Sequence, residues 1–183
     1  MKKMVRILMV VFAGLLLLVT AGCDDGGKPP AGSGKPGEKI SQPVPKKKEM
    51  TAVKIYYPDR QGEWLHEVIA QVSKEDRYQE ALQLIVSGTK EKGLMGIFPK
   101  GTKIKSLSVK NGRATVDFSK EMATNFPGGS MVEEMMYGSV VNTLTAFPEI
   151  KTVKIYIDGK DTKILSNMDI VDPFERMPEM IKK

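Results

Sequence analysis

Residues Arg113 to Asp158 constrain the fold of this 183-residue chain more than any other stretch. The strand pattern Arg113-Ala-Thr-Val-Asp-Phe118 precedes a helical pattern from Ser130 to Phe147, and a second strand pattern, Val153-Lys-Ile-Tyr-Ile-Asp158, follows it. Asn125-Phe-Pro-Gly-Gly129 is a flexible approach to the helix, and Ser130 and Glu133 stand at capping-box spacing. A strand–helix–strand unit of this kind buries apolar surface. A helical crossover between Phe118 and Val153 allows those two strands to be parallel.

The helix has two unlike arcs at about 100° per residue. Val132, Met136, Tyr137, Val140, Val141, Leu144 and Phe147 cover roughly half of its circumference, as expected for a helix packed on a sheet. The other arc holds Met131, Met135, Gly138, Ser139, Asn142 and Thr145, with no charge. A solvated face normally carries Lys and Glu. Two readings fit: a neutral face, exposed or covered by another part of this chain, or a face that meets a partner protein, since interfaces favour Met and deplete Lys and Glu. These six residues are the candidate partner surface.

The N-terminus reads as an export signal. Lys2, Lys3 and Arg6 precede an apolar run from Ile7 to Val19, too short for a comfortable membrane span and right for a signal h-region. It closes on Thr20-Ala-Gly-Cys23, which is similar to a bacterial lipobox, with Thr20 where such sites more usually place Leu. Residues 1–22 are thus expected to be a lipoprotein signal peptide and Cys23 the lipidation site; an uncleaved anchor is the alternative. Either places the domain outside the cytoplasm, tethered to a membrane. Cys23 is the only cysteine, which leaves no disulfide, Cys-bound zinc or thiol nucleophile for the folded part. Residues 24–49, rich in Pro, Gly and Lys, have almost nothing to bury and read as a linker. Random-coil scaling gives this linker a reach on the order of 30 Å.

The pI of about 9.3 belongs largely to those ends. They hold nine of the 28 bases and four of the 22 acids, so residues 50–183 carry a net charge of only +1. Such a domain has no electrostatic footprint for nucleic acid. Its 134 residues are enough for one domain with its own core.

Within it, Met50–Tyr57 alternates as a strand, and Trp64–Val72 is read as its hairpin partner, with a short helix as the alternative. Glu75–Ser87 has a helical stripe of Tyr78, Ala81, Leu82, Ile85 and Val86, a capping signal at Asp76 and Gln79, and a stop at Gly88. Leu94, Met95, Ile97 and Phe98 should pin the next loop to the core. Asn111-Gly112 joins Lys103–Lys110 to Arg113–Phe118 as a type I′ hairpin. After Asp158-Gly159, a last strand is expected at Thr162–Leu165. The tail should pack around Ile170, Val171 and Phe174 and then fray. The order β-β-α-β-β-α-β-β gives an α+β fold, with two helices on one face of a mainly antiparallel sheet that the crossover allows to be mixed.

The residues of common catalytic sites do not assemble in the sequence. His66 and Glu67 are neighbours in a strand and point to opposite faces. Ser119 and Ser139 have no histidine near in sequence, though a lysine close in space is open to them. Asp158, Asp161, Asp169 and Asp172 match no calcium loop, and Gly128-Gly129 and Gly93-x-x-Gly96 lack the remainder of a phosphate cradle. No cofactor, metal or catalytic residue is expected, although two unrecognised carboxylates remain open for glycan cleavage.

Several blocks resemble the GerMN (Germane) family of sporulation and spore germination proteins. They are Val53-Lys-Ile-Tyr-Tyr-Pro-Asp59, Ala81–Gly88, Phe98-Pro-Lys-Gly-Thr102, Ala114–Ser119, Val140-Val-Asn-Thr-Leu-Thr-Ala-Phe-Pro148 and Val153-Lys-Ile-Tyr-Ile-Asp-Gly159. The resemblance spans roughly Thr51 to Asp172. It implies a non-enzymatic α/β module of envelope lipoproteins that supports a multiprotein complex and the spore wall between the two membranes around a developing spore. One departure is that the family's best-known member resembles a tandem of two such domains, where this chain has one. The expected partners are the membrane, through the N-terminal lipid, and envelope or spore-assembly proteins. A cell-wall glycan such as peptidoglycan, stacked on Trp64, Tyr56 or Tyr57, is the alternative, and a wall-acting hydrolase a third.

Overall fold

The computed structural model describes residues 48–161 and 173–183. The signal segment, Cys23 and nearly all of the linker lie outside the described residues, as do Thr162–Leu165, Asp169, Ile170, Val171 and Asp172.

The chain opens with a hairpin of β1 (Met50–Pro58) and β2 (Leu65–Ser73), in register from Met50 opposite Ser73 to Pro58 opposite Leu65. Gly62, at φ +72°, makes the reversal between them. The hairpin reading of Trp64–Val72 therefore holds, and the short-helix alternative does not. Helix α1 (Arg77–Ser87) follows and ends at Gly88 (φ +82°), as its lack of a Cβ suggests. Asp76 precedes the helix but makes no side-chain cap; Glu80 instead turns back to accept from the Ser73 N–H at 2.7 Å.

The loop from Gly93 is pinned, as its apolar content predicts. Met95 N–H donates to the Pro58 carbonyl at 3.0 Å, Leu94 bridges Asp59, and Ile97 is buried. Strands β3 (Ile104–Lys110) and β4 (Arg113–Phe118) then form the Asn-Gly hairpin, with Asn111 at φ +50° and Gly112 at +76°. A short helix α2 (Glu121–Thr124) leads to α3 (Ser130–Leu144). The crossover delivers β5 (Thr152–Ile157) parallel to β4 in unbroken register, Arg113 opposite Thr152 through Phe118 opposite Ile157. Short strands β6 (Lys160–Asp161) and β7 (Phe174–Glu175) each pair antiparallel with β5.

The class is α+β with mixed but mostly antiparallel pairing. The single sheet foreseen from the sequence is two: the β1–β2 hairpin, and a five-stranded sheet in the order β3-β4-β5-β6, with β7 also on β5. Alternation explains the second sheet's core face. Ala114, Val116, Phe118, Val153, Ile155 and Ile157 are all buried, while Arg113, Thr115, Asp117, Thr152, Lys154 and Tyr156 point the other way. Helix α3 packs against β1, α1 and β5, so it sits between the two sheets' contributions rather than on one face of one sheet. At β1, the Tyr56 N–H donates to Thr143 Oγ1 at 3.1 Å.

The C-terminal segment does not fray. Phe174 is buried, as expected, but packing continues through a 3-10 turn at Pro178–Met180 to Ile181, which bridges Leu65 of β2 in parallel. Lys182 N–H donates to the Leu65 carbonyl at 2.9 Å, and Met180 is buried.

Candidate functional site

The uncharged arc of α3 is not a free surface. Met135, Gly138, Ser139 and Asn142 are buried, Thr145 is half-buried, and only Met131 stays exposed, at 57%. The C-terminal segment covers the arc. Asn142 Nδ2 donates to the Met177 carbonyl at 3.0 Å and Asn142 Oδ1 accepts from the Met177 N–H at 3.1 Å. Arg176 lies beside it, donating to the Asn142 carbonyl, to Thr145 Oγ1 and to the Tyr56 hydroxyl. At Gly138 the fit is close enough that a Cβ would stand 2.7 Å from Met180 Cε and 3.1 Å from Leu65 Cδ1. Of the two readings of this arc, the one in which the chain covers itself is correct. A helix apolar or neutral all round is a core helix.

The capping box at Ser130 is also absent. Gly129, at φ +103°, is the N-cap, and no side chain caps the helix. Glu133 is turned inward and buried; among the described residues its Oε1 and the Tyr137 and Ser139 hydroxyls, also buried, have no hydrogen-bond partner. Burial pushes the Glu133 carboxyl above its ordinary range, an effect that Tyr137, one turn on, partly offsets. The Tyr137 hydroxyl is pushed up in turn by burial and by the adjacent carboxylate.

His66 does not build a catalytic pair. Its Nε2 lies 3.6 Å from Asp59 Oδ2 and makes no hydrogen bond. Asp59 serves the β1–β2 turn: Oδ1 accepts from the Glu63 N–H at 3.0 Å. Burial raises the Asp59 pKa, but the backbone N–H groups of Glu63, Trp64 and Gly62, together with His66, outweigh it and leave a net lowering. Ser119 Oγ accepts from the Lys103 N–H, a structural role. Asp158 is held low by the hydrogen bond from Lys105, and Asp161 pairs with Lys154. Among the described residues no cluster of His, Cys, Asp and Glu has metal-binding geometry, and no helix is long and apolar enough to cross a membrane.

What stays exposed is elsewhere. Tyr56 and Tyr57 belong to the core, with the Tyr57 hydroxyl bonded to the Leu84 carbonyl, but Trp64 is 40% exposed. It borders an open groove of about 540 Å³ with Glu179, Ile181, Lys182 and Lys183. Met131 lies against the same β1–β2 turn, its Sδ 3.1 Å from where a Gly62 Cβ would stand. In the sequence Trp64 is one aromatic among three, with Tyr56 and Tyr57. Its distinction, an exposed ring beside a turn closed over by the C-terminus, depends on a contact distant in sequence.

The first GerMN domain of the sporulation protein GerM from Bacillus subtilis matches with a TM-score of 0.55 at 25% identity, over 69% of this chain and 98% of that one. The tandem GerMN domains of the same protein match with a TM-score of 0.56 at 23% identity, over 79% of this chain. This chain spans 50% of the tandem protein's length. A crystal structure of a candidate lipoprotein from Clostridium perfringens matches at 0.50 and 23% identity, over 78% of this chain and 99% of that one. No curated protein matches the chain. The model of the Germane family, described as sporulation and spore germination, matches residues 54–163, from within β1 past the end of β6, and the chain belongs to that family.

Proposed function

We propose that this protein is a non-enzymatic, lipid-anchored interaction module outside the cytoplasm, supporting an envelope or spore-assembly complex. Membership of a sporulation and germination family supports the setting. The lipobox-like Thr20-Ala-Gly-Cys23 and the likeness to a candidate lipoprotein support the anchor at Cys23. The observation that carries the reading is the exposed pair at the β1–β2 turn, Trp64 bordering the groove and Met131 lying against Gly62, since Trp and Met are enriched in protein contacts. Lys182 and Lys183 on the groove rim favour a partner whose own rim is acidic. The candidate surface thus moves off α3, of which only Met131 remains.

The test is a photo-crosslinker at position 64 of the full-length protein in its host, with mass spectrometry of the adducts. Capture of sporulation or envelope-assembly proteins, lost in Met131→Glu, supports the reading. Trp64 also favours a second one, in which a cell-wall glycan stacks on the indole with Glu179 accepting sugar hydroxyls. Adducts of wall fragments alone would select that reading, and no adduct from a folded, anchored protein would sink both.

A further inference from the structure

A second open groove, of about 520 Å³, lies at the Asn111-Gly112 turn and the start of β5, remote in sequence from Trp64. It is lined by the cations Lys110, Arg113 and Lys151 and by the hydroxyls of Ser108, Thr115 and Thr152. The alternation that buries Ala114, Val116 and Val153 puts Arg113, Thr115 and Thr152 on the opposite face of the sheet, and register sets them side by side. Ser108 is opposite Thr115, and Arg113 opposite Thr152.

The cations are uncompensated. Lys110 and Arg113 are directly opposite each other across the hairpin, an arrangement of like charges that costs stability. None of the three pairs with a carboxylate among the described residues, whereas Lys105 and Lys154 of the same sheet do. The acid nearest in sequence, Glu149, is turned away and engaged by Arg77 and Tyr78. Glu175, opposite Thr152 on the far strand, is roughly 10 Å from Arg113 by strand spacing and leaves the groove centre cationic.

We infer that this groove binds the phosphodiester groups of an acyclic polyol-phosphate polymer of the cell envelope. A tetrahedral phosphate accepts hydrogen bonds from several directions at once, which suits an Arg fork, two ammonium groups and three hydroxyls contributed by neighbouring strands. The volume exceeds that of one phosphate and takes the linking carbons as well, and the open shape lets a chain run through. No aromatic side chain lines it, so there is no platform for a nucleobase or a sugar ring. A flat bilayer would meet the rim cations but leave the hydroxyls unengaged.

The full chain, held in uncharged detergent, would be titrated with poly(glycerol phosphate) of defined length and followed by calorimetry. The variant K110Q/R113Q/K151Q should weaken binding about tenfold or more, and the wild-type affinity should fall about tenfold between 50 and 200 mM salt. The control K90Q/K92Q/K100Q makes the same change in net charge at exposed residues away from the groove and should bind as wild type does. The three groove cations are exposed and two of them repel each other, so the triple variant should melt at or slightly above the wild-type temperature, which separates lost binding from lost folding. The inference is overturned if the two triple variants weaken binding equally, or if wild type does not bind. It is equally overturned if poly(glutamate), a base-bearing oligonucleotide or phosphatidylglycerol vesicles bind as well as the polyol phosphate. Failure here leaves the Trp64 reading untouched, because the two grooves share no residue.

Discussion

Asn142→Leu separates a helix face sealed by its own chain from one kept for a partner. Asn142 is fully buried and its amide meets both backbone groups of Met177, at 3.0 and 3.1 Å. Leucine keeps the branched outline, is bulkier, and removes both hydrogen bonds. Each is worth about 1 kcal/mol net, and each leaves a Met177 group short of a partner at a further cost of up to about 1 kcal/mol where water reaches it. The expected loss is therefore about 2–4 kcal/mol, a large part of the roughly 5–15 kcal/mol that holds a domain together. At about 4 °C per kcal/mol for a domain of this size, the melting temperature should fall by about 8–16 °C. Hydrogen exchange gives the local reading, in that the Met177 amide should lose protection first, together with Lys182, whose N–H is bonded to Leu65. A melting temperature within about 2 °C of wild type, with Met177 still protected, would refute the assignment of the C-terminal segment as the cover of α3.

Glu133→Gln should raise stability at neutral pH. The folded-state carboxyl is shifted up by burial, so the wild type carries no penalty below the unfolded pKa of about 4.3 and gains one as pH rises through the folded value. Urea midpoints of the two proteins should coincide near pH 4 and separate toward pH 7, and parallel curves would refute the burial argument. Gly112→Ala forces a Cβ into φ +76° and should cost about 1–2 kcal/mol in a denaturant melt. Met131→Glu, in the exposed first turn of α3, should change stability by less than about 0.5 kcal/mol while removing any protein captured through position 64. Ile69→Lys should leave the melting curve unchanged and slow aggregation seen by light scattering. Ile69 is 59% exposed on β2, whose outer edge carries only the Leu65–Ile181 bridge among the described residues.

Local chemistry made much of this fold readable. Asn111-Gly112 can satisfy two positive φ angles where few other pairs can, and alternation on either side fixed which side chains point inward. The apolar stripe of α1 with Gly88 beyond it marks a helix end, and a helical crossover between Phe118 and Val153 allows the parallel pairing that β4 and β5 make. The failures have one cause, competition from residues far away in the chain. Ser130 and Glu133 have capping-box spacing, yet Glu133 is drawn into the core and Gly129 becomes the N-cap. The arc from Met135 to Asn142 lacks charge because Arg176, Met177 and Met180 cover it, and nothing in its composition distinguishes that cover from a partner. Two prolines and a short apolar content made residues 173–183 look like a tail, while their anchoring contacts lie 34 and 35 positions away at Asn142.

The cover over α3 determines where function can reside. Once α3 is enclosed, a substitution that disturbs its arc also disturbs the core, so a binding surface there could not change without a loss of stability. Trp64 and Met131 at one turn, and Lys110, Arg113 and Lys151 at another, are under no such restriction, because they hang from hairpin ends or a helix's first turn whose pairing is set by backbone and inward-facing residues. Loops and turns on a rigid scaffold are where recognition can vary at little cost to the fold. The interaction role proposed above needs that separation. Binding and melting should therefore respond independently to changes at these two turns, and together to changes along the enclosed arc of α3 from Met135 to Asn142.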